Sequence, residues 1–123
     1  MFLFSAIPYF TVEPELQNKA EGETAEFMCE ASGIPPPQIK WIYNGMPIEK
    51  APANSRRIVE TNRIVITNLK KEDTGNYGCN ATNVYGYTYR DVYVNVLGEF
   101  ILIFLLLLWC FFIFIFLLFL LHF

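Results

Sequence analysis

The side chains able to do chemistry are few in this chain, and their spacing decides which chemistry is open. His122 is the only histidine and stands at the end of an uncharged apolar run, so no Ser-His-Asp or Cys-His arrangement is available. There is no Gly-rich phosphate loop and no Cys/His spacing suited to a metal. Scattered carboxylates such as Glu21 and Glu23 read as a solvated rim. The sequence therefore predicts no enzyme, no cofactor and no metal. Three features remain. Cys29 and Cys79 lie 50 residues apart, with Trp41 placed 12 residues after the first. Asn80-Ala81-Thr82 is the only N-glycosylation sequon. Tyr85, Tyr87, Tyr89 and Tyr93 gather in one short stretch.

Strands are the elements that must hold these groups, because apolar residues recur at every second position. Residues 23–31 put Ala25, Phe27, Cys29 and Ala31 on one face. Gly33-Ile34-Pro35-Pro36-Pro37 should then interrupt the ladder, since proline cannot donate to it. Residues 38–43 resume with Ile39, Trp41 and Tyr43 on a common face, and Asn44-Gly45 signals a tight hairpin. Further strands are predicted at residues 63–69, 76–83 and 87–96, with a first one near Tyr9–Val12. Asn83-Val84-Tyr85-Gly86 supplies the last turn, and Val92, Val94 and Val96 are expected to face inward. No internal repeat or helical period shows before residue 99.

A cysteine, a tryptophan, a second cysteine at this spacing and a tyrosine two residues before it (Tyr77) form the framework of an immunoglobulin sandwich. In that fold the disulfide ties the two sheets together and the indole packs against it. Such a bond implies an oxidising compartment; two buried free thiols are the competing reading. The predicted fold is all-β, an immunoglobulin-like two-sheet sandwich over residues 7–97. Gly33-x-Pro35-x-Pro37-x-x-x-Trp41, the Asn44-Gly45 turn and Ala81-x-Asn83-x-x-Gly86 resemble the I-set domains of cell-surface adhesion proteins. PYFTVEPE (8–15), WIYNGMPIE (41–49), NSRRIV (54–59), DTGNYGCNATN (73–83) and DVYVNV (91–96) are similar to the fourth immunoglobulin domain of a neural cell-adhesion family, in its insect form. That resemblance implies adhesion between cells, often homophilic, in axon guidance and nerve–glia contact. It also implies a horseshoe of four domains, which one domain cannot form alone.

The same resemblance makes Asp73 and Gly75 framework residues beside Trp41 and Tyr77, with Asp73 clamped by Arg56 or Arg57 at the base of a strand. A structural clamp is expected there in preference to a ligand site. Alternation puts Asn80 on the outer side of its strand, where a glycan fits unless a neighbouring domain shields it. Tyr87, Tyr89 and Tyr93 should share the outer face of the last strand. Tyrosine gives large contact area at low entropy cost, which suits an interface, although aromatics also favour strands for local reasons.

The charge and the ends complete the picture. All charged residues lie between positions 13 and 99 and sum to −3, with no basic cluster, so nucleic acid is not expected as a partner. Residues 100–121 are uncharged and long enough as a helix to cross a bilayer. They contain no Gly, Ala, Val, Ser or Thr for helix packing and no following Lys or Arg, and Cys110 reads as filler. Residues 1–6 form a non-domain stub that is too short for a signal peptide. Two readings of the ends are open: translated intron around a single exon, or a genuine membrane-anchored product. The first is favoured because Gly98-Glu99-Phe100 can be encoded by a splice-donor sequence and Phe-Leu runs by pyrimidine tracts. The expectation is an extracellular recognition module of the plasma membrane with protein partners. Its alternatives are a short single-pass receptor or decoy, and a structural I-set domain of a muscle filament protein.

Overall fold

The computed structural model describes residues 4–123, apart from the side chains of 99–102; the first three residues of the predicted stub lie outside it. Ten strands follow in order: β1 (Ala6–Val12), β2 (Gln17–Ala20), β3 (Ala25–Met28), β4 (Glu30–Ile34), β5 (Gln38–Tyr43), β6 (Met46–Pro47), β7 (Arg57–Val59), β8 (Arg63–Ile66), β9 (Gly75–Asn83) and β10 (Gly86–Leu97). One layer contains the order β3-β8-β7 and the pair β1-β4, since β3 and β4 are one run of chain interrupted only at Cys29. The other layer has the order β2-β10-β9-β5-β6. Its pairs are antiparallel except β2, which runs parallel to β10 from Gln17 opposite Val94 to Ala20 opposite Leu97.

Period-two alternation builds the core between these layers. Ala25, Phe27, Ile64 and Ile66 come from the first layer, and Trp41, Tyr77, Val94 and Val96 from the second. Each large side chain taken fully out of water contributes about 1.5–3 kcal/mol. Cys29 and Cys79 are bonded across the layers with Cα atoms 6.5 Å apart. Phe27 and Tyr77 stack with ring centroids 5.1 Å apart. The Trp41 indole donates to the carbonyls of Glu60 at 3.0 Å and Thr61 at 3.2 Å, so its polar edge is satisfied while its body is buried. Among the described residues, every fully buried member of this cluster lies between Ala25 and Val96, with Phe10 of β1 packed against it.

The differences from expectation have local causes. The first strand starts at Ala6, three residues early, because β1 pairs with β4 from Ala6 opposite Ile34 to Val12 opposite Glu30, with register shifts on either side of Tyr9-Phe10. The ladder reaches Ile34, opposite Ala6, and stops only where Pro35 begins, after a cis Ile34–Pro35 bond. The strand expected over 63–69 closes at Ile66, since Asn68 turns the chain with φ 49°. Val92 is half-buried at the edge of the core, whereas Val94 and Val96 are fully inward. The Asn44-Gly45 hairpin has φ of 47° and 82°, the two positive values a type I′ turn requires. Strand β2 was not predicted, and β6, implied by the hairpin, and β7, implied by the arginine clamp, were given no bounds; all three are four residues or fewer, too short for alternation to show.

After Gly98 the chain forms α1 (Glu99–Leu121). Its stretch Ile103–Leu121 is long and apolar enough to cross a membrane, and none of it is buried against the protein.

Candidate protein-contact face

The predicted clamp lies at one end of the sandwich. Asp73 is only 3% exposed, and both its oxygens are occupied. Oδ2 accepts from Arg56 Nη1 at 2.6 Å and from the Lys70 backbone at 2.8 Å. Oδ1 accepts from Arg56 Nη2 and from Asn54 Nδ2, each at 3.0 Å. Arg56 also donates to the Asn68 carbonyl at 2.8 Å. Burial alone would raise the Asp73 carboxyl, but the hydrogen bonds from Arg56, Lys70 and Asn54 outweigh it and hold the group below the ordinary carboxylate value. Arg57 turns elsewhere: it donates to the Pro52 carbonyl at 3.1 Å and lies 5.9 Å over the Tyr43 ring. The choice between the two arginines is thus resolved in favour of Arg56. Asn54 is a partner the sequence reading missed; its place two residues before Arg56, in a turn that caps the Arg56 amide, was the available signal.

Beside the clamp, the Tyr77 hydroxyl donates to the Asp73 carbonyl at 2.7 Å, and burial pushes that hydroxyl strongly up. A Cβ at Gly75 would come within 2.8 Å of Asn44 Oδ1, so a side chain there would have to push aside the Asn44 amide that accepts from the Asn76 backbone. Within the surface recess here, Arg56 is paired with both Asp73 and Glu72, whereas Arg57 and Lys70 also line it without a carboxylate partner among the described residues. The Arg56–Asp73 pair itself is architecture, since both carboxylate oxygens are taken up within the protein.

The open surface is the outer face of β10, β9 and β5. Cross-strand partners share a face, so register alone assembles it. Tyr87 stands opposite Thr82, which faces Gln38. Tyr89 stands opposite Asn80, which faces Lys40, and Asp91 opposite Gly78, which faces Ile42. Tyr93 completes the row opposite Asn76. Tyr87 is 72% exposed, Tyr93 48% and Tyr89 43%. Tyr85 is also exposed, but it sits in the β9–β10 turn and is not part of this row.

Tyr89 differs from the other two. Its ring lies across Gly78, where a Cβ would come within 2.7 Å of Tyr89 Cζ. The phenol fills the space that a side chain at Gly78 would take, roofing an otherwise bare stretch of backbone. Burial first, and Asp91 second, raise its hydroxyl. Asn80 also departs from expectation. It is on the outer side of β9 but only half-exposed, and its Oδ1 is buried without a hydrogen-bond partner. Strict alternation gave the correct side of the sheet and could not show the crowding by neighbouring strands. Lys40 and Ile42 were not singled out; they follow from counting outward positions on β5 once its pairing to β9 is known.

Comparison with known proteins agrees with this architecture. The immunoglobulin I-set domain model matches residues 8–96. Neuroglian of Drosophila melanogaster is 57% identical over 95 residues, which is 77% of this chain and 7% of that protein. The neuronal cell adhesion molecule of Mus musculus is 38% identical over 94 residues, 76% of this chain and 8% of that protein. This chain therefore spans less than a tenth of the relatives it matches. Among solved structures, extracellular domains 3–5 of Drosophila OTK superpose with a TM-score of 0.70 at 30% identity, covering 76% of this chain and 32% of that one. The insect immune protein hemolin, whose domain arrangement is described as having implications for homophilic adhesion, gives 0.66 at 30% identity over 76% of this chain and 23% of its own. The matched region is an immunoglobulin I-set domain of the type found in these cell-adhesion proteins.

Proposed function

This chain belongs to the immunoglobulin I-set family, and on that premise we propose that it is an extracellular recognition module of a neural adhesion receptor at the plasma membrane. It acts by surface contact, including homophilic contact, in nerve-cell adhesion and axon guidance. The observation that carries this reading is the row Tyr87, Tyr89 and Tyr93, exposed on one sheet face while every charge of the clamp is internally paired. Aromatic residues over a flat face supply hot-spot area at low ordering cost. The test is adhesion of cultured neural cells to a surface coated with the disulfide-bonded sandwich. Adhesion blocked by the same sandwich in solution supports the reading; equal adhesion to an unrelated immunoglobulin domain overturns it.

A second reading is favoured by α1, whose apolar stretch from Ile103 to Leu121 is not buried against the protein. In it the sandwich is held directly on the membrane as a short single-pass receptor or decoy. Carbonate extraction of cells expressing the full chain behind a secretory leader decides between them, together with sequencing of the transcript across the Gly98-Glu99 codons. Retention in the membrane pellet with unspliced transcripts favours the anchored form. Splicing at that point into further immunoglobulin coding sequence favours one module of a larger receptor.

A further inference from the structure

We propose that Asn80 carries an N-linked glycan, and that this glycan competes with protein partners for the β10–β9–β5 face. Asn80 is the first residue of the sequon Asn80-Ala81-Thr82 on β9, the middle strand of that face. Its flanking partners in register are Tyr89 on β10 and Lys40 on β5, while Thr82 lies between Tyr87 and Gln38. A glycan attached there rises from the centre of the tyrosine row, not from its rim. The amide is also unclaimed by the fold: Nδ2, the atom a sugar would join, makes no hydrogen bond among the described residues, and Oδ1 is buried without a partner. Such a group is costly to keep for packing alone, and apolar or hydroxyl side chains would fill the same half-buried strand position at less cost.

The chemistry balances with one co-reactant, a lipid-pyrophosphate-linked oligosaccharide. Asn80 Nδ2 attacks the anomeric carbon, a C–N bond forms, the sugar–phosphate C–O bond breaks, the lipid pyrophosphate leaves and the Nδ2 proton passes to a base. The Thr82 hydroxyl is the sequon element the transfer requires. The disulfide that closes this fold and the glycan need the same compartment. Once attached, the oligosaccharide is bulky and solvated, so it covers Tyr87, Tyr89 and Lys40. Docking on this face then requires chains in which Asn80 is unoccupied.

The inference about docking rests on the proposed function, whereas the glycan itself does not. The full chain behind a secretory leader is expressed in insect cells, and the Cys29–Cys79-bonded fraction is digested and mapped by mass spectrometry. The expected result is a hexose-rich adduct on the Asn80 peptide, absent from Thr82→Val and Asn80→Gln. Unmodified Asn80 in disulfide-bonded material overturns the site. Hydroxyl-radical footprinting then compares glycosylated chain with Thr82→Val: oxidation of Tyr87 and Tyr89 is expected to slow several-fold under the glycan, with Tyr9 on β1 unchanged as internal reference. Equal rates overturn the covering of the face. Neither readout involves a partner, so failure of the adhesion reading leaves these results standing and is scored separately.

Discussion

Replacing Arg56 with alanine is the perturbation whose consequence is best defined by the structure. It removes two hydrogen bonds from a carboxylate that is 3% exposed, leaving only the Lys70 amide and the Asn54 side chain on Asp73. Breaking one side of a buried ion pair costs about 3–5 kcal/mol, because the remaining charge stays buried. The Arg56 side chain is 17% exposed, so water enters part of the vacated space and the lower end, about 3 kcal/mol, is expected. For a sandwich of this size that lowers Tm by roughly 12–24 °C. Arg57→Ala is the control. It loses an exposed hydrogen bond and a ring contact, worth about 0.5 kcal/mol. The pH dependence sharpens the test. In the native protein Asp73 lies below its ordinary value, so its contribution is present above about pH 4 and is lost as pH falls through the folded-state value. In Arg56→Ala, burial is opposed by fewer bonds and the carboxyl rises. The gap between the two proteins therefore narrows towards acid, as the variant's carboxyl becomes neutral. Urea denaturation of the sandwich from pH 3 to 7 reads both effects. An Arg56→Ala cost no larger than that of Arg57→Ala, or one that does not change with pH, refutes the reasoning.

Other substitutions separate the roles assigned above. Tyr89→Ser uncovers Gly78 and should cost about 1–2 kcal/mol, whereas Tyr87→Ser, at an exposed position, should stay within about 0.5 kcal/mol; thermal melts compare them directly. Trp41→Phe leaves the Glu60 and Thr61 carbonyls without their indole donor and should cost about 1–3 kcal/mol by chemical denaturation. Reducing Cys29–Cys79, which closes a loop with sequence separation 50, should remove about 4 kcal/mol on the chain-entropy estimate, read as a shift in the urea midpoint with and without reductant.

The parts of the molecule legible in the sequence are those set by long periodic strands and by side chains with one possible use. The Cys29–Trp41–Cys79 spacing and the alternation through Phe27, Ile64 and Val94 led directly to the two layers. The Asn44-Gly45 turn was readable because it needs two positive φ values. Arg56 and Arg57 were indistinguishable by spacing: they are adjacent, both carry the same charge, and only Arg57 belongs to the three-residue strand β7. The roof over Gly78 was hidden for another reason. Tyr89 and Gly78 are not register partners, since Tyr89 faces Asn80, and the contact exists only because the ring leans diagonally along the face. The crowding of Asn80 has the same origin, as it depends on three strands together and not on the order of residues in one.

The central claim is that this sandwich recognises proteins through the β10–β9–β5 face, and the most direct measurement is neural-cell adhesion to the unglycosylated sandwich beside its Tyr87→Ser/Tyr93→Ser variant. Both tyrosines are exposed outward residues of one strand, so Tm should be nearly unchanged. Adhesion should fall by about tenfold or more, as expected when hot-spot aromatics are removed. Undiminished adhesion by a folded double variant would contradict the account and place recognition on another surface.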